Sequence, residues 1–185
     1  MRYPSTHKAE TRRKLVENAR AIAKKGGFEA TGVDAFMQGI GLSGAAFYNH
    51  FESKQALFAA IVAEEARHSV LMLSATKDGS AEAFVKTLHG YLSSFHALNP
   101  GQGCALAALG PELARAAPEV KALVEQGLRD VQESWSERLG DSDAAWSLIS
   151  QCVGALVLSR MVESGQTRKE ILSANRRSVE RAAGL

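Results

Sequence analysis

Apolar residues recur along this chain at intervals of three and four rather than two, a period that reads as helix throughout and shows no strand. In the first segment Leu15, Ala19, Ile22 and Ala23 share one face, while Arg12, Arg13, Glu17, Arg20 and Lys24 point elsewhere. Gly26 and Gly27 supply the left-handed residue that ends a helix, and Phe28 then turns inward. A second stripe, Val33, Phe36, Met37 and Ile40, has Asp34 in its first turn, where the helix dipole favours an anion, and stops at Gly41. The fold class this predicts is all-α, with about nine helices.

Only four prolines and 16 glycines punctuate the 185 residues. Ser43 suits the N-cap of a third helix of roughly eight residues, its hydroxyl accepting from a backbone N–H, with Ala46, Phe47 and Phe51 packing inward. A fourth helix opens near Glu52 or Ser53 and runs through Leu57, Phe58, Ile61, Val62 and Ala66 toward Leu73. Breaks at KDGS (77–80), NPGQG (99–103), GPE (110–112), APE (117–119), GDSD (140–143) and SGQTR (164–168) divide the remainder into about five more. Pro111 and Pro118 suit first-turn positions, and Ser142 or Asp143 a cap.

The net charge of +2 and 45% hydrophobic content exclude a disordered chain or a polycationic coat. The charge is unevenly placed: residues 1–54 hold nine Lys or Arg against five Asp or Glu, and residues 55–185 hold thirteen against fifteen. Cys104 and Cys152 lie in apolar surroundings in neither CxxC nor CxxH spacing, so neither a disulfide framework nor a zinc site is expected. The start, MRYPSTHKAETRRKLVENA, has no apolar h-region, and the longest strongly apolar stretch, around CVGALVL, is short of a membrane span. A soluble cytoplasmic protein with no membrane partner is expected.

Two short helices separated by GIGLS, after a longer helix that braces them, have the layout of a helix-turn-helix, whose last helix enters the major groove. That layout accounts for Tyr48, Asn49 and His50 together on one short helix; an ordinary solvated surface satisfies them equally well.

The residues go further than the layout. Gly41, Leu42 and Ser43, then Tyr48, His50, Phe51, Ser53, Lys54, Leu57 and Phe58, closely resemble the DNA-binding signature of the tetracycline-repressor (TetR) family, and GGFEATGVD upstream matches that family's link between its first two helices. The resemblance implies a DNA-binding helix-turn-helix domain over 1–54 and a helical ligand-binding and dimerisation domain over 55–185. It further implies a ligand-responsive, one-component transcriptional regulator, more a repressor than an activator, that binds an inverted-repeat operator in double-stranded DNA as a homodimer. By resemblance and by chemistry, Tyr48, His50 and Lys54 contact phosphates, with Ser43 at the start of the recognition helix, while Gly44, Ala45 and Asn49 lie on its exposed part. Asn49 can pair with an adenine edge and Ala45 can touch a thymine methyl. Where the family commonly has a second Ser or Thr capping the second helix this chain has Gly32, leaving Thr31 to take some of that work. Lys8, Arg12 and Arg13 can add phosphate contacts or form a solvated basic face.

In the second domain the resemblance implies a small-molecule effector, of unspecified identity. Met72, Phe95, His96, Cys104 and Trp135 are candidate ligand contacts, with Phe84, Tyr91 and Leu109 nearby; simple core packing uses the same residue types. Cys104 follows NPGQG near a helix start, where a dipole lowers a thiol pKa, although an inert buried thiol fits the composition as well. The last two helices resemble the family's dimer-forming pair, with Gly154, Ala155, Leu156, Leu158, Ser159 and Ile171 as interface candidates; intrachain packing is the alternative. Catalysis is not expected, since no carboxylate dyad or third metal ligand accompanies Glu64 and His68 or His89 and His96, and neither cofactor nor metal is called for.

Overall fold

The computed structural model describes residues 5–73 and 80–184, and the side chains among them except at 5, 6 and 70–72. The elements are α1 (Ser5–Gly26), α2 (Val33–Gln38), a 3-10 segment (Gly44–Asn49), α3 (Lys54–Leu73), α4 (Ala81–Tyr91), α5 (Ser94–Leu98), a short 3-10 turn (Pro100–Gln102), α6 (Ala105–Ala114), α7 (Pro118–Leu139), α8 (Ser142–Met161) and α9 (Gly165–Ala182). Among the described residues there are nine α-helices and no strand.

Two cores form. The first gathers Leu15, Ala19 and Ala23 of α1, Phe28, Phe36 and Met37, Phe47 and Phe51, then Leu57, Phe58, Ile61 and Val62 of α3. Phe28 stacks on Phe36 and Phe58, with ring centroids 5.5 and 4.5 Å away. Leu109 and Leu113 of α6 and Val120 of α7 complete it, so the core of the N-terminal helices continues past residue 54 and is closed by helices from much later in the chain. The second core joins Phe84, Leu88 and Tyr91 of α4, Trp135 of α7, Leu148, Ile149, Cys152 and Leu156 of α8, and Leu172 and Val179 of α9. α3 reaches from the first core to the second, where its Leu73 is buried, and packs extensively along α7. Cys104 and Cys152 are both free and buried.

Several local expectations shift. The third helix is a six-residue 3-10 segment rather than an α-helix of eight, and Ser43 precedes it in extended backbone with no side-chain cap. Thr31 does not cap α2 either: its hydroxyl donates to Gly27 O at 2.6 Å and closes the preceding turn. Ser53 caps α3 by accepting from Ala56 N–H at 3.0 Å. Asp141, not Ser142 or Asp143, caps α8, because its extended backbone aims one carboxylate oxygen at the N–H groups of Asp143 and Ala144. Pro118 opens α7 as expected, whereas Pro111 lies inside α6. Burial of Leu109 and Leu113 on either side of Pro111 holds that helix together across the missing N–H. Of the KDGS turn only Ser80 is among the described residues, and it caps α4. α8 is longer than its apolar stretch suggested: its 20 residues pass, by length and composition, for a membrane span, yet here its apolar face packs against α7 and α9.

In the passage from Leu92 to Cys104, which holds α5 and the short 3-10 turn, four carbonyls are taken by side chains from other helices. Arg176 donates to Leu92 O, Arg160 to His96 O and Ala97 O, and Lys24 of α1 to Gly103 O at 2.9 Å.

Two glycines fix the turn ahead of the 3-10 segment. Gly41 has φ of +74°, which L residues with a β-carbon avoid, and a β-carbon on Gly44 would collide with the Asp34 carboxylate. Gly41→Ala is expected to cost about 1–2 kcal/mol in urea unfolding. Gly32→Ala, at φ of −74° with open space around it, is expected to cost almost nothing.

Candidate nucleic-acid interface and interior cavity

The 3-10 segment buries Phe47 and presents Ser43, Ala45, Tyr48 and Asn49 to solvent, with His50 half-buried at its end. Tyr48 is 68% exposed although aromatic, held edge-on to Phe47 at 5.3 Å between centroids. An apolar ring left in water beside an amide and an imidazole is a surface shaped for contact rather than for burial. From behind, Phe47 stacks on Phe51, and the Arg12 guanidinium lies 4.4 Å over the Phe51 ring. α1 thereby fixes the segment and brings positive charge to its edge.

That charge is felt by His50. Its imidazole is held below the ordinary value of 6.5, first by burial and then by Lys8, His7 and Arg12. Nδ1 of His50 is buried without a hydrogen-bond partner among the described residues. A positive field around a largely neutral imidazole, next to exposed Tyr48 and Asn49, is what a phosphate would complement.

Lys54 is placed otherwise than as a free point charge. Its Nζ donates to Glu29 O at 2.9 Å, stands 3.7 Å from Glu29 Oε2 and lies 4.9 Å over the Phe28 ring, so it ties the start of α3 to the loop between α1 and α2. Gly44 faces Asp34, Thr31 is half-buried in its turn, and Arg13 pairs with Glu17 at 3.3 Å.

Beneath the first core a cavity of about 40 Å³ lies between α3, α6, α7 and α8. Trp135, Tyr91 and Leu109 line it, joined by Leu106, Leu128, Ile149 and Cys152. Phe95 does not: it is 64% exposed and borders a separate surface hollow with Thr87 and Asn99. His96 is committed to structure. Nδ1 is 2.7 Å from Tyr91 O and Nε2 accepts from Cys104 N–H at 2.8 Å, which fixes the neutral ring with its proton on Nδ1. Cys104 is buried at the start of α6 and does not line the cavity, and the Met72 side chain lies outside the described residues.

The cavity also contains a residue that sequence reasoning passed over. Glu65 of α3 is buried, and its Oε1 accepts from Arg20 Nε and Lys24 Nζ of α1, both at 2.7 Å. The sequence held one signal for it: an acid falling on the face of Phe58, Ile61 and Val62, where a solvated carboxylate does not belong. Of the interface candidates on the last helices, Ala155, Leu156 and Ser159 are buried within the chain, because α7 and α9 already cover that face of α8. Ile171 is half-buried against the second core, whereas Leu158 is 55% exposed and nothing lies near the position a Gly154 β-carbon would take.

Residues 15–61 match the model of the family described as bacterial regulatory proteins, tetR family. Among solved structures the chain is similar to the reduced form of NemR from E. coli (17% identity, TM-score 0.76, 93% of this chain and 96% of that one covered). It is also similar to a TetR transcriptional regulator from Chloroflexus aurantiacus (20%, 0.75, 94% and 96%) and to a TetR-family regulator from Agrobacterium tumefaciens (18%, 0.74, 94% and 98%). Identities this low establish the fold alone. No curated protein matches the sequence.

The His50 environment makes a pH prediction. A phosphate bound beside His50 would raise the imidazole pKa that the free protein holds below 6.5, so a DNA complex would take up a proton and affinity is expected to rise as pH is lowered from neutral through 6.5. His50→Gln is expected to flatten that dependence, measured by fluorescence anisotropy at constant salt.

Proposed function

We propose that this chain, whose N-terminal module belongs to the tetR family of bacterial regulatory proteins, is a ligand-responsive, cytoplasmic transcriptional repressor that binds an inverted-repeat operator as a homodimer. The observation that carries the reading is the exposed face of Ala45, Tyr48 and Asn49, braced by α1 and set in a positive field at His50. Tyr48 and His50 bind phosphate and set register, and Asn49 reads a base edge, with Ala45 against a methyl. Ser43 adds a hydroxyl at the start of the segment, while Thr31, Gly44 and Lys54 hold the parts that present it. The segment has no Arg or Lys, so recognition leans on Asn49, on methyl contacts and on duplex shape.

Leu158 and Met161, exposed on α8, together with open Gly154, form the apolar stripe that a second copy would cover. Two heads so joined would reach half-sites about 34–36 Å apart, or a multiple of that. The effector occupies the cavity beside Trp135 and biases the heads between two spacings.

Selection of bound sequences from a random duplex pool tests the reading; a palindromic consensus is expected, and no enrichment contradicts it. On the selected duplex, Asn49→Ala is expected to cost about 1–3 kcal/mol of discrimination at a single base pair. Lys8→Gln should weaken all sequences alike and lower the salt slope by about 1. Leu158→Arg is expected to convert the dimer to monomers in sedimentation velocity while leaving the far-UV circular dichroism spectrum unchanged, since the side chain already faces solvent within the chain.

A further inference from the structure

The Glu65 carboxylate has two unequal oxygens. Oε1 carries both cations of α1, whereas Oε2 is buried with no hydrogen-bond partner among the described residues. The side chain is 3% exposed and lines the cavity, whose other walls are almost wholly apolar: Leu106, Leu109, Leu128, Ile149 and Val153. A buried carboxylate oxygen left unsatisfied is costly, and the group that relieves it is a hydrogen-bond donor. Two neighbouring donors are already committed, while the buried Tyr91 hydroxyl on the cavity wall also has no hydrogen-bond partner among the described residues. Lys24 Nζ also donates to Gly103 O, and Trp135 Nε1 donates to Leu73 O at 2.9 Å.

Resting on the reading that this cavity holds the effector, we propose that its occupant is an uncharged apolar molecule with one O–H or N–H, donated to Glu65 Oε2. Charge favours the neutral class. Arg20 and Lys24 already outnumber the one carboxylate, so a cationic ligand would be a third positive charge, and an anionic one would face the carboxylate itself. The same side chain that receives the donor holds α1, and α1 braces the exposed recognition segment, so the ligand contact and the head share one residue. Size adds to the coupling. The cavity has room for only a few water-sized molecules, and a β-carbon on Gly127 of α7 would stand 3.2 Å from the Ala66 β-carbon of α3. An occupant of ring size must spread α3 from α7 there, and in doing so moves the base of Glu65.

Calorimetric titration of the full chain with matched probes tests this: 1-naphthol, its isostere 1-methylnaphthalene, and 1-naphthoate, with phenol and toluene as a smaller pair. The methyl compounds lose water more readily, so apolar burial alone favours them. The proposal expects the hydroxyl compounds to bind at least about tenfold tighter than their methyl partners, as a hydrogen bond to a charged group allows, and naphthoate to bind more weakly than naphthol. In Glu65→Gln that preference should shrink to less than about threefold, and naphthol should no longer weaken operator binding. Methyl compounds binding as tightly as hydroxyl ones, naphthoate binding best, or the preference surviving in Glu65→Gln would overturn the proposal while leaving the cavity as an effector site. If no probe binds, the cavity reading fails and the proposal with it. Should Glu65→Gln not fold by circular dichroism, the ranking of the probes on the unaltered chain decides alone.

Discussion

Two positive side chains of α1 meet one carboxylate of α3 inside the protein, and together with the apolar core around them they fasten the N-terminal helices to the rest of the chain. Arg20 and Lys24 are on the helix that braces the 3-10 segment, and Glu65 is on the helix that continues into the second core. Removing one member of such a buried cluster typically costs about 3–5 kcal/mol, because the partners keep their charge and lose its compensation. The cluster also reaches sideways. Lys24 takes the Gly103 carbonyl in the passage before α6, so α1, α3 and that passage are fastened at a single place.

From this joint the exposed face is reached by short steps. α1 carries Arg12 onto Phe51; Lys54 binds the loop through Glu29 and Phe28; and Gly44 lets the segment approach Asp34 of α2. A 3-10 segment of six residues has no stability of its own, so its geometry is imposed by these contacts. What remains outward is Ser43, Ala45, Tyr48 and Asn49, and the field around His50 gives that face its sign. The first core is shared with α6 and α7, so the exposed face of the 3-10 segment and the walls of the cavity are built on the same packed helices.

Much of this was legible in the sequence, for local reasons. The 3.6-residue period placed Leu15, Ala19, Ala23, Phe36 and Met37 in the core, where they are found, and Ser53 and Pro118 mark helix starts because each acts on its own backbone; the stop read at Gly41 came late, since α2 ends at Gln38 and Gly41 serves the turn beyond it. The stretch from Gly41 to Phe58 carried the resemblance, and it lies within the residues 15–61 that match the tetR family model. What was hidden depends on distant partners. Nothing near Lys54 says that it will serve Glu29 O, and nothing near His96 says that both ring nitrogens will be used by Tyr91 and Cys104. Small residues on α8 read as an interface, yet Ala155 and Ser159 turned inward because periodicity cannot tell a neighbour in the same chain from one in another. Glu65 was set among apolar residues, but the two cations that make its burial tolerable are 45 and 41 positions away.

The joint can be tested by amide hydrogen exchange on the full chain and on Glu65→Gln, without ligand or DNA. If the cluster fastens the head, exchange in the variant quickens most, and together, in the second half of α1 and in the passage before Cys104, and less in α8 and α9. Unchanged protection in both of those regions would contradict the account.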